Sequence, residues 1–190
     1  EMAKSDFVAE PKTYRVTSLL KGIRETILEK RQIDEIEQDV SDMIWLLFGT
    51  AVHGILEQQE EADCEIKETR LKMGVDDYIL SGQFDLYNAK TKTITDYKTC
   101  SAWKVVFGDY SDWKKQLLMY AYMMRDAGFP VECGEVVALM KDHSKRDAKY
   151  KAEYPKFPVK KITFDFTEQD FNEIETFLLD KFAEIKKCES

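Results

Sequence analysis

The chain has little of what marks several common protein classes. Its two histidines, His53 and His143, lie far apart, which excludes the H-E-x-x-H spacing of zinc peptidases. The four cysteines (Cys64, Cys100, Cys133 and Cys188) form no C-x-x-C pair, so neither a zinc knuckle nor a disulfide framework fits, and reduced thiols are expected. The 8 glycines and 4 prolines make no linker, repeat or low-complexity tract. One unit is therefore expected over residues 1–190. The longest apolar run, Met43–Phe48, is too short to cross a bilayer, and no basic-then-apolar signal opens the chain. A cytoplasmic protein without membrane contact is the expectation.

What is present is ordinary for a soluble globular domain: 44% hydrophobic, 12% aromatic and 34% charged residues. A net charge of −8 counts weakly against nucleic-acid binding, but distribution matters more than the total. Residues 57–68 hold six acids against Lys67 alone, whereas 141–161 hold eight Lys and Arg against Asp142, Asp147 and Glu153. The basic segment is either a solvated face or a surface that meets phosphate.

Apolar spacing at Leu20, Ile23 and Ile27 predicts a helix over about 14–31, with Thr17-Ser18 at its start. A second helix is predicted from Ser41 to about Glu60 on the stripe Ile44, Phe48, Val52 and Ile55. Glu65–Met73, Tyr78–Tyr87 and Thr93–Thr99 read as three strands of an antiparallel meander with turns at 74–77 and 88–91. Next comes a helix capped at Ser111 or Asp112 and ended by Gly128. Strands at Gly134–Met140 and Val159–Phe166 precede a C-terminal helix opened by Thr167-Glu168-Gln169-Asp170.

Chemistry concentrates on a few of these elements. Asp96 and Lys98 stand two apart on a strand and so share a face, where a carboxylate can hold a divalent ion beside a cation. Read alone, the pair is equally a solvated ion pair. If the turn at 88–91 closes a hairpin, Asp85 joins that face, displaced from Asp96 by one pair, and two carboxylates can grip one hard cation such as Mg²⁺ or Mn²⁺. His53 and Glu57 share a helix face at i, i+4, with a boundary histidine as the plain alternative. Gln116 and Tyr120 set an amide and a phenol on one face of the third predicted helix, beside the apolar stripe Leu117, Ala121 and Met124.

Together, Gly49-x3-His53, Gly82-x2-Asp85, Asp96-Tyr97-Lys98-Thr99 and Gln116-x3-Tyr120, in this order, resemble the RecB-like exonuclease branch of the PD-(D/E)XK nuclease superfamily. The resemblance spans about Ser41 to Gly128 and leaves the N-terminal helix and residues 141–161 uncovered. It implies an α/β (α+β) fold with a restriction-endonuclease-like core, a central mixed sheet containing the three-stranded antiparallel meander, flanked by helices. The motif-bearing core would occupy about 41–140, with an N-terminal helical segment at about 14–31 and a C-terminal strand and helix at 159–188.

Carried over by position, the resemblance makes His53, Asp85, Asp96 and the Tyr97 carbonyl metal ligands and Lys98 the residue that positions the attacking water. Gln116 and Tyr120 become substrate-side residues and Glu68 a further acidic candidate, with Glu57 added by its i, i+4 spacing to His53. The implied activity is hydrolysis of DNA phosphodiester bonds with one or two Mg²⁺ or Mn²⁺ ions, as an exonuclease of recombination, repair or phage DNA metabolism. A homo-oligomer or a recombination protein is the expected partner besides single- or double-stranded DNA. The cysteine spacing of iron–sulfur relatives is missing, so no cluster is expected. The alternative is a nucleic-acid-binding module of the same fold whose catalysis has lapsed.

Overall fold

The computed structural model describes residues 11–32, 49–50, 54 and 64–189. Its elements, numbered along the described chain, begin with β1 (Thr13–Arg15), α1 (Val16–Leu19) and α2 (Ile23–Arg31). Strands β2 (Glu65–Lys67), β3 (Arg70–Val75), β4 (Tyr78–Gln83), β5 (Leu86–Asn88) and β6 (Thr93–Cys100) follow. Then come α3 (Ala102–Phe107), α4 (Ser111–Asp126), β7 (Cys133–Met140), α5 (Lys145–Tyr150), β8 (Val159–Asp165) and α6 (Glu168–Glu189).

The strands form two sheets, one ordered β1-β4-β3 and the other β2-β5-β6-β7-β8. Within the second, β2, β5 and β6 are the antiparallel meander, β7 joins β6 in parallel, and β8 closes antiparallel on β7. A parallel neighbour needs a long crossover, here supplied by α3 and α4. The architecture is thus the expected mixed α/β arrangement flanked by helices.

The two strands predicted at Glu65–Met73 and Tyr78–Tyr87 are each broken. The first divides at Glu68, whose φ of 46° lies in the left-handed region, and the second at Phe84-Asp85. Both breaks sit at one level, because the Glu68 N–H donates to the Asp85 carbonyl at 3.0 Å. A long hairpin therefore passes from one sheet to the other at its middle, as paired strands do when both bend at a bulge.

The predicted first helix also divides. Tyr14 is extended and pairs with Leu80, Thr17 and Ser18 lie inside α1, and an extended Gly22 starts α2. Thr26 secures the junction by donating its hydroxyl to the carbonyls of Ser18 (2.8 Å) and Gly22 (3.1 Å). The helix predicted from Ser41 to Glu60 lies almost wholly outside the described residues, of which 49, 50 and 54 are helical. Strand β1 and helices α3 and α5 carry too few periodic positions to be read from sequence.

Helix α4 is the buried centre. Gln116 through Ala121, with Met123 and Met124, are all buried, because α4 packs on α1, α6 and strands of both sheets. A helix enclosed this way is apolar over most of its circumference, and its few polar residues must find partners inside. Gly134 lets it close on β7: an added Cβ there would stand 2.4 Å from the Phe166 ring and 3.1 Å from Leu117.

Candidate active site

Strand β6 points Ile94, Asp96, Lys98 and Cys100 to one face and Thr95, Tyr97 and Thr99 to the other. The first face meets α4. Asp96 is 4% exposed, and its Oδ1 lies 3.4 Å from the Gln116 amide nitrogen, which also donates to the Tyr120 hydroxyl at 2.9 Å. The Lys98 ammonium stands 2.9 Å from Asp96 Oδ2, yet this buried oxygen has no hydrogen bond of good geometry. A buried carboxylate oxygen touched by charge without an aligned donor is a place for a cation.

Asp85 reaches the site through the broken hairpin. The β5–β6 register pairs Leu86 with Thr95, so the next residues, Asp85 and Asp96, face each other directly. The sequence pattern predicts them displaced by one pair. The difference comes from the turn, which closes over Ala89–Lys92 with Asn88 opposite Thr93 and Lys92 at φ 52°. Because β5 leaves the sheet here, the edge of β6 at Tyr97 has no strand beside it, and Asp85 Oδ2 accepts the Tyr97 N–H at 2.7 Å. The N–H and carbonyl of one strand residue point to the same edge, so the Tyr97 carbonyl opens on the Asp85 side.

Two carboxylates and a carbonyl make an all-oxygen donor set suited to a hard divalent ion. Among the described residues no three His, Cys, Asp or Glu side chains gather as a metal cluster. His53 and Glu57 lie outside the described residues. Gly49 is described, and an added Cβ there would stand 3.7 Å from Thr99 Oγ1, which sets the start of the Gly49-x3-His53 motif beside β6.

The phenol of Tyr120 is held well above its usual pKa, first by burial and then by the charge of Asp96, so it stays a neutral donor. Gly82 makes room for this ring: an added Cβ would come 2.6 Å from Tyr120 Cε1 and 2.9 Å from Val16 Cγ2. Glu68 sits at the hairpin break rather than on a strand, and its Oε2 accepts from the Gln83 amide at 2.5 Å. Gln83 in turn accepts from Arg70 at 2.8 Å. Sequence reasoning missed Arg70, although its charge is felt by both Tyr120 and Arg15, and desolvation lowers the Arg15 pKa. The only signal was the Gln83 between Gly82 and Asp85.

Comparison with known proteins shows the family. The family model of the PD-(D/E)XK nuclease superfamily matches residues 54–189. The chain belongs to that superfamily, and the coarse class of its activity is nuclease. No curated protein matches it. Among solved structures, SSO0001 superposes with a TM-score of 0.61 at 18% identity, covering 94% of this chain and 78% of that one. A phage-related exonuclease from Haemophilus somnus 129PT gives 0.52 at 10% identity, covering 94% of this chain and 96% of its own. The alkaline exonuclease LHK-Exo of Laribacter hongkongensis gives 0.53 at 14% identity over 94% and 92% of the two chains, and it has also been solved with dAMP. At these identities the likeness is one of fold.

Proposed function

We propose that the protein is a divalent-metal-dependent DNA exonuclease that hydrolyses phosphodiester bonds in recombination, repair or phage DNA metabolism. The observation that carries this reading is the buried Asp96, facing Asp85 where β5 leaves the sheet, with Lys98 2.9 Å from an otherwise unbonded oxygen. The exonuclease names of two structural neighbours support the finer statement.

Asp85, Asp96 and the Tyr97 carbonyl would hold Mg²⁺ or Mn²⁺, with His53 as a further ligand. The ion, when bound, lowers the pKa of water and polarises the phosphoryl oxygens. Lys98, on the same face, orients that water and offsets negative charge developing on the phosphate. Gln116 fixes the Asp96 carboxylate and the Tyr120 hydroxyl in one hydrogen-bonded unit, so neither rotates away. Tyr120 keeps its proton and can donate to a substrate oxygen. Glu68, and Glu57 on the preceding segment, are acids within the same reading. One hydrophobic core joins both sheets and the helices, which supports a single nuclease domain over the chain.

The test is cleavage of end-labelled linear and closed circular DNA, single- and double-stranded, across Mg²⁺ and Mn²⁺. Wild type is expected to degrade linear DNA and spare circles. Lys98→Ala and Asp96→Ala are each expected to lose about 100-fold or more. Equal activity in all three proteins would remove the site assignment, and DNA bound but uncut under every metal condition would leave the lapsed binding module.

A further inference from the structure

Large aromatic rings are exposed on α3 and on the basic segment that follows β7. Trp103 is 47% and Phe107 78% exposed on α3, and Tyr150 and Phe157 on the basic segment are 73% and 72% exposed. Trp103 ties α3 to the basic segment. Trp103 packs against Phe107 at 5.9 Å between ring centroids and edge-on to Tyr154 at 6.4 Å. Across α3, the Lys104 ammonium lies 5.5 Å from the Trp113 ring, which stacks on Tyr110 at 5.3 Å.

Cations are interleaved with the rings. Lys151 lies 5.6 Å over Trp103, and Lys149 5.5 Å from the Tyr150 ring. The segment 141–161 carries eight Lys and Arg against three acids in a chain of net charge −8. Two of those acids are engaged: Asp142 Oδ1 accepts the Ala102 N–H at 2.6 Å, and Asp147 pairs with Lys151 at 3.2 Å. The surface also adjoins the site. Helix α3 begins two residues after Cys100 ends the Asp96-Lys98 face, and Trp113 precedes Gln116 by about one helical turn, roughly 5 Å along the axis.

We propose that this platform, led by Trp103 and Phe107, holds the single-stranded part of the nucleic-acid substrate by stacking its bases, while the lysines of 141–161 take its phosphates. Exposed rings with cations interleaved, Lys151 over Trp103 and Lys149 beside Tyr150, suit an oligonucleotide, whose every base has a π-face and every linkage a charge. Protein interfaces deplete lysine at their centres, which argues against a protein occupant. The proposal rests on the nuclease reading for its substrate and adds where the strand lies and in what form.

The experiment measures anisotropy of a fluorescein-labelled oligothymidylate about 15 nucleotides long, with EDTA present, against an abasic oligomer of equal length. Phe107→Ala, Trp103→Ala and the double variant are compared with wild type, and their thermal midpoints show that each is folded. We expect each single change to weaken oligothymidylate binding about fivefold and the double change tenfold or more. The abasic oligomer should bind wild type as weakly as oligothymidylate binds the double variant.

Oligothymidylate bound equally by wild type and the folded double variant would overturn the proposal. So would an abasic oligomer bound as tightly as oligothymidylate. A wild-type dimer in sedimentation that Phe107→Ala dissociates would overturn it in favour of a second copy of the chain. Failure of the nuclease reading is separable: base-dependent binding lost in the double variant, with no cleavage under any metal, leaves the platform standing without the catalysis.

Discussion

A carboxylate at 4% exposure beside an incomplete set of donors is a costly group to bury, and Asp96 sits in that position. Replacing it with the isosteric Asn removes the charge while keeping the shape. Asp96→Asn is therefore expected to unfold in denaturant no earlier than metal-free wild type, although it loses cleavage. Saturating Mn²⁺, at about 100 times its dissociation constant, should stabilise wild type by about 2.7 kcal/mol and leave Asp96→Asn unmoved. A metal-induced gain in the variant equal to that of wild type would sink the ligand role. Gly82 gives a second test at this scale. Its added methyl in Gly82→Ala meets Tyr120 at 2.6 Å, a clash expected to cost about 1–3 kcal/mol and, through displacement of Tyr120, to lower cleavage as well.

Among elements, the broken hairpin and α6 show how local structure serves the site. Without the breaks at Glu68 and Phe84-Asp85, β5 would continue beside β6 and its backbone would take the Tyr97 N–H that Asp85 now accepts. Helix α6 is anchored at its start by Thr167 and Asp170. The Thr167 N–H donates to Asp170 Oδ2 at 2.9 Å and the Asp170 N–H to Thr167 Oγ1 at 3.2 Å. Lys114 reaches Asp170 from α4 at 2.5 Å, and these partners, Lys114 first, pull its pKa down to about 2. A depressed carboxylate pKa contributes stability above its ordinary value near 3.8, lost as pH falls through about 2. Asp170→Ala should cost about 1 kcal/mol at neutral pH. The gap to wild type, followed by denaturant unfolding, should shrink between those two pH values, and a pH-independent gap would refute the link.

Over the whole molecule, charge is segregated in a way the net value conceals. The basic segment runs from the end of β7 through α5 into β8, and its Lys145, Arg146 and Lys149 are exposed. Binding to single-stranded DNA should weaken steeply with salt. Arg146→Ala combined with Lys149→Ala should make the slope of log affinity against log salt shallower by about 0.7 for each phosphate no longer neutralised. An unchanged slope would place the strand elsewhere. Among the described residues no helix is long and apolar enough to cross a membrane.

Much of this was written locally in the chain. A strand's period of two puts Asp96 and Lys98 on one face whatever surrounds them, and the Gln116–Tyr120 spacing shares a helix face for the same kind of reason. The end of α4 at Gly128, with φ of 87°, and the Thr167 cap were equally legible, because turns and caps depend on near neighbours. His53, from the Gly49-x3-His53 motif, and Glu57, one helical turn later in the sequence reading, lie outside the described residues. Other features depend on distant parts of the chain meeting. Asp85 and Asp96 stand opposite rather than diagonal because register follows from turn length and the packing of both strand faces. Gln116 is a buried partner of Asp96 rather than a polar edge because α6 and two sheets enclose α4. The sequence by itself determined which polar residues share an element and a face. Only the tertiary structure decided which carboxylates face each other, which oxygen is left without a donor, and which rings stay exposed, since burial and register are set by contacts no local segment contains.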